Sequence, residues 1–223
     1  MSLNKYRKAF NVYLIPIFSQ FLFNFSAQAN LKEAIAKGDL FEIFSSVEKG
    51  ENLNDEKFPA IFEIVSHWGM KDVQYVSRQN TFGSFADDLH SGLFYSVDKK
   101  IVLIQYLKAK GAKLDTKLND SQRVASGSAA IHVADDPRIM ATLLDLGANP
   151  LLRDRRGNQV LINFIDHYKK YPNKEYFRLV VKRILEAGAD VNECFPDHSG
   201  CLLDIARNLE DQDLFRLLLS YRR

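Results

Sequence analysis

Apolar residues recur along this chain in runs with helical spacing, and each run ends at a glycine followed by a small polar turn. Leu103-Ile104-Gln105-Tyr106-Leu107, Met140-Ala141-Thr142-Leu143-Leu144 and Val180-Val181-Lys182-Arg183-Ile184-Leu185 put apolar side chains three and four residues apart. That is the period of a helix with one buried face. Behind them stand Gly111-Ala112-Lys113-Leu114-Asp115, Gly147-Ala148-Asn149-Pro150 and Gly188-Ala189-Asp190-Val191-Asn192, at intervals of 36 and 41 residues. Spacings of this size mark stacked repeats and not one closed core. Glycine can take positive φ where a helix ends. The Asp or Asn after it suits a tight turn, because its side chain bonds its own backbone.

A shorter apolar helix precedes most of these runs. The first complete unit reads Ala34-Ile35-Ala36-Lys37-Gly38-Asp39-Leu40-Phe41-Glu42-Ile43 and closes at Gly50. Phe62-Glu63-Ile64-Val65-Ser66-His67-Trp68-Gly69, Ala130-Ile131-His132-Val133-Ala134 and Leu202-Leu203-Asp204-Ile205-Ala206 repeat the same frame. Leu93 to Val97 and Leu161 to Ile165 match it more weakly. The pattern resembles the ankyrin repeat, whose inner helix runs Thr-Pro-Leu-His-x-Ala-Ala-x-x-Gly ahead of an outer helix and a Gly-Ala-Asp-x-Asn hairpin. The resemblance implies an all-α, ankyrin-like solenoid of about six units, beginning near residues 31, 58, 91, 128, 159 and 201. Neither helix of such a unit can bury its apolar stripe alone, so neighbours must stack. At His132 the resemblance implies a structural hydrogen bond to the neighbouring repeat. The pattern also departs from the family: no unit has the full Thr-Pro-Leu-His. The fourth is about three residues short, with Asp136-Pro137 at the helix-to-helix turn. A polar run from Ser77 to Ser91 separates the second unit from the third, and the fifth carries an insertion from Lys169 to Glu175.

Residues 1–29 stand apart from the repeats. Lys5, Arg7 and Lys8 precede an apolar stretch from Phe10 to Phe25, which leads to Ser26-Ala27-Gln28-Ala29. Ala27 and Ala29 give the small-x-small ending of an export signal, with cleavage expected before Asn30. A buried N-terminal helix and an uncleaved anchor are the alternatives. The apolar stretch is 16 residues long and interrupted by polar ones, whereas a membrane span wants about 20. Residues 30–223 then form the repeat domain. Losing three cations leaves 27 basic against 28 acidic residues, net −1 in place of +2. The broad basic face of a nucleic-acid binder is therefore not expected.

Motifs for catalysis are missing from the sequence: there is no phosphate loop, dinucleotide fingerprint or nucleophile elbow. The five histidines, His67, His90, His132, His167 and His198, share no metal-ligand spacing. No cofactor or metal is expected. Cys194 and Cys201 bracket the turn Phe195-Pro196-Asp197-His198-Ser199-Gly200. Behind an export signal such a pair reads as a disulfide; two free thiols, or a redox or metal pair, are the other readings. Arg153, Arg155 and Arg156 make a basic hairpin tip, and the fifth-unit insertion offers Tyr168, Tyr171 and Tyr176 among lysines. With Phe195 these are the candidates for a partner surface, since tyrosine and arginine dominate interface energetics. The expected function is an exported, non-enzymatic and monomeric protein-binding module, periplasmic or secreted, protecting an envelope protein or neutralising a toxin or enzyme. An enzyme or accessory of envelope oxidative-stress defence, or a self-associating envelope protein, is the alternative.

Overall fold

The computed structural model describes residues 30–66, 96–195 and 200–222. The predicted signal with Ala27 and Ala29, the Ser77–Ser91 connector, and His67, His90 and His198 lie outside the described residues. Among the described residues regular structure is all helical: α1 Leu31–Lys37, α2 Leu40–Glu48, α3 Ala60–Ser66, α4 Val97–Ala109, α5 Pro137–Asp145, α6 Val160–Asp166, α7 Lys174–Glu186, α8 Leu202–Asn208 and α9 Gln212–Ser220. Single 3-10 turns add Ala130–His132 and Tyr168–Lys170.

These elements form two layers. One is the sequence α1, α3, the Ala130–His132 turn, α6 and α8, each packed on the next; in the other, α4, α5, α7 and α9 follow one another in the same way. The ring of Phe44 on α2 meets Tyr106 on α4 edge to face at 4.6 Å and extends that second layer to the N-terminal side. The layers interlock through buried apolar residues, with Phe62, Phe164, Phe177, Ile35, Ile104 and Leu107 among the largest fully buried side chains. Second-layer helices start on side-chain caps. Asp39, Asp136, Asn173 and Asp211 each accept a backbone N–H from the first turn of α2, α5, α7 and α9. Such a cap satisfies one of the four donors that a helix start leaves unpaired.

One difference from the expected frame has a physical reason, and one part of the frame falls outside the described residues. The second half of the unit starting near 58 and the first half of the unit starting near 91 lie in that part, residues 67–95. Among the described residues α3 packs directly against α4, and the Lys100 ammonium on α4 donates to the Val65 carbonyl at 3.0 Å. The apolar runs of α3 and α4 match each other in space across the connector, which periodicity along the chain does not report. In the fourth unit the first-layer helix shrinks to the Ala130–His132 turn. With about three residues too few, the chain must reach the Asp136 cap and Pro137, already the first residue of α5, before a second turn can form.

Candidate functional site

Turns that link one pair to the next are tied to each other by a ladder of side chains. Four residues after Gly50, the Asn54 side chain accepts from Lys113 N at 2.6 Å and donates to the Gly111 carbonyl at 3.2 Å. Four residues after Gly111, Asp115 accepts from Asn149 N at 3.1 Å. Side chains at this register therefore hold the backbone of the next turn. At the equivalent place after Gly147 stands Leu151, which cannot accept, and Gln159 takes over, accepting from Asp190 N at 3.1 Å. The Gln159 amide also donates to Glu193 at 2.7 Å, and Arg153 grips the same carboxylate with both guanidinium nitrogens, at 2.5 and 3.2 Å. A two-point guanidinium–carboxylate contact fixes orientation as well as distance.

His132 joins this framework in the role the ankyrin resemblance implies. Its Nδ1 accepts from Ala129 N, and its Nε2–H donates to the Leu152 carbonyl in the next turn, both at 3.1 Å. That pattern needs the neutral imidazole. Burial pushes the His132 pKa below its ordinary value, and burial with the Lys170 ammonium does the same at His167. A histidine whose folded pKa is depressed contributes full stability above the unfolded value of about 6.5. Stability is then lost as pH falls from there towards the folded pKa. The melting midpoint is expected to drop between neutral pH and about 5, with a smaller drop in His132→Gln, whose side chain never charges. An equal slope in both would show that His132 is not a source of the acid sensitivity.

An open groove of about 580 Å³ runs between the turns, walled by Asn54, Glu56, Lys113, Asp115, Gly127 and Arg155 among others. One wall belongs to a finger absent from the expected sites. Leu118 and Ser128, and Gly127 and Leu118, pair through backbone hydrogen bonds at 2.9 and 2.6 Å, and residues 119–126 loop out between them. Arg123 returns from the loop to form an ion pair with the buried Glu63 on α3 and lies 5.6 Å from the centre of the Phe62 ring. Val124, next to it, is 91% exposed. The Asp115 turn was visible in the sequence, while the matching register of Asn54 emerges from the structure. The finger was not, since its anchor Glu63 lies 60 residues from Arg123.

The predicted surface residues divide into framework and free groups. Arg153 is framework, through Glu193. Tyr168 is a correction: it is 3% exposed, edge to face with Phe177 at 5.1 Å, because the 3-10 turn swings it inward. Tyr171 is half-buried and leans on the same ring at 6.0 Å, and desolvation raises its hydroxyl pKa. Tyr176 and Phe195 are half-buried too and pack against the core. Lys174 and Glu175 belong to α7, so part of the insertion lengthens a helix instead of forming a loop. Arg155 and Arg156 stay exposed, and neither guanidinium has a hydrogen-bonding or ionic partner among the described residues.

Cys194 and Cys201 are disulfide-bonded, their Cα atoms 3.8 Å apart. Leu202 N donates to the Glu193 carbonyl at 2.8 Å and Phe195 N to the Gly200 carbonyl at 2.9 Å, so the cysteines occupy the close, non-hydrogen-bonded position between two bonded pairs. The bond locks the segment that carries Glu193. Among the described residues no cluster of three or more His, Cys, Asp or Glu side chains is placed to hold a metal. No described helix is long and apolar enough to cross a membrane.

No protein-family model matches the chain, and no curated protein matches it. Among solved structures, it is similar to a chain of the complex between a predatory endopeptidase from Bdellovibrio bacteriovorus and an immunity protein. The identity is 16% and the TM-score 0.43, over 88% of this chain and 99% of that one. A likeness at that level says nothing of what this chain binds.

Proposed function

We propose that this chain is an exported ankyrin-type binding module that acts by gripping another protein and not by catalysis, protecting an envelope protein or neutralising a toxin or enzyme. One observation carries the reading. Arg155 and Arg156 sit at the tip of a turn whose base is pinned on both flanks, by Asp115 on Asn149 and by Arg153 on Glu193, while both their guanidinium groups lack partners among the described residues. A braced turn loses little backbone freedom on meeting a partner, which favours affinity. The disulfide supports export, since such bonds persist in oxidising compartments.

The test is affinity capture from envelope extracts with the wild-type chain and with Arg155→Ala/Arg156→Ala, followed by titration of the captured protein. The double variant should bind about tenfold more weakly or worse. Its melting midpoint should stay nearly unchanged, because exposed substitutions away from caps and core usually cost within about 0.5 kcal/mol. Tyr171 is not a suitable third substitution, since its ring is part of the packing around Phe177. Failure of the wild-type chain to hold any protein in a stoichiometric complex would refute the binding-module reading. Undiminished affinity in the double variant would move the surface away from this turn.

A further inference from the structure

Building on the binding-module reading, we infer that the groove between the turns receives a carboxylate-bearing segment of the protein partner, clamped by Lys113 and Arg155. The charges in the groove point that way. Its two carboxylates are already engaged: Asp115 accepts from Asn149 N, and Glu56 accepts from the Asn119 amide at 3.4 Å. Lys117 donates its ammonium to the Arg153 carbonyl at 2.8 Å. The ammonium of Lys113 and the guanidinium of Arg155 are left without a partner among the described residues, both on the groove wall.

Arg155 is also aimed by its backbone. Its Cα and Cβ lie so close to Gly127 that a Cβ there would come within 2.7 Å, so the finger and the Arg155 turn are seated against each other. The occupant is a protein carboxylate and not a nucleic acid for two reasons. Three cations against two carboxylates leave a local excess of only one charge, whereas a phosphate backbone is held by an extended run of cations. In addition, the finger that walls the groove carries Val124, an apolar side chain 91% exposed, which suits contact with a partner's apolar surface.

The test uses the isotope-labelled full chain in NMR titrations at low salt with hexaglutamate, hexalysine and a deoxythymidine hexamer. Hexaglutamate is expected to shift the amides of Lys113, Ser126, Gly127 and Arg155 saturably, and to lose most of its affinity at roughly 0.3 M salt, where exposed charges are screened. Hexalysine and the deoxythymidine hexamer should shift none of them. Lys113→Gln/Arg155→Gln, with spectral dispersion checked to verify folding, should bind hexaglutamate at least about tenfold more weakly. Replacing one central glutamate by leucine should tighten binding to the wild type but not to Val124→Asp. Unmoved groove amides, equal binding of the deoxythymidine hexamer, or a folded double variant that binds like the wild type would each overturn the carboxylate clamp. Capture of a partner protein would then still stand on its own, because that experiment does not use the peptide.

Discussion

Phe177→Ala is expected to lower the unfolding free energy by about 3–5 kcal/mol, the usual cost of truncating a fully buried phenylalanine. Phe177 is 0% exposed. Its ring stacks on Phe164 at 4.2 Å with the planes 2° apart and also takes the edge of Tyr168 and the tilted ring of Tyr171. Removing it empties the centre of a four-ring cluster that joins α6, the Tyr168–Lys170 turn and α7. The loss should exceed that of Leu179→Ala, two residues further along α7 and 53% exposed. Chemical denaturation of the two variants against the wild type checks this. Equal shifts in midpoint would mean that the aromatic cluster is not a centre of packing.

Gly127→Val should be the next most damaging single change, through two separate costs. Gly127 has φ +82°, and holding a side-chain-bearing residue there costs of order 1–3 kcal/mol. The added Cβ would also stand 2.7 Å from Arg155 Cβ and 3.2 Å from Arg155 Cα. Forcing these turns apart adds about 1–3 kcal/mol of overpacking. Gly147→Val provides the internal control. Gly147 has φ +91°, yet a Cβ there meets nothing within 4 Å, so it should show the backbone cost alone. Denaturation midpoints that fall together for the two valines would show that the close approach of the finger to Arg155 costs nothing to open. A larger loss at Gly127, accompanied by weaker partner binding, would tie the finger to the binding surface.

What could be read before any coordinates was local in the chain. Positive φ at the glycines after α4, α5 and α7 follows from the residues on either side, and Gly111, Gly147 and Gly188 have φ of 96°, 91° and 103°. The Cys194–Cys201 bond was local in the chain as well, closing a short turn with a sequence separation of seven. The hydrogen bond from His132 to the next turn is the exception and was not local; it was implied only by the ankyrin resemblance, and the Leu152 carbonyl it meets lies 20 residues away. Misreadings arose where the partner lies far along the chain. Arg153 looked like a free tip residue because Glu193 lies 40 positions away. Tyr168 looked like part of a tyrosine-and-lysine surface strip, because only the packing of α6 against α7 turns it onto Phe177.

By itself the sequence determined the periodic helices, the turn at Asp136-Pro137, and the turn chemistry at the glycines that close them. These depend on spacing and backbone preference over a few residues. The tertiary structure alone decided that α3 pairs with α4, that Leu151 breaks the Asn54–Asp115 ladder and Gln159 replaces it, and that Lys113 and Arg155 share one groove. Each of these depends on which distant residues come within about 3–4 Å after stacking. A repeated hydrophobic stripe tells each helix which face to bury, but not which helix it will meet.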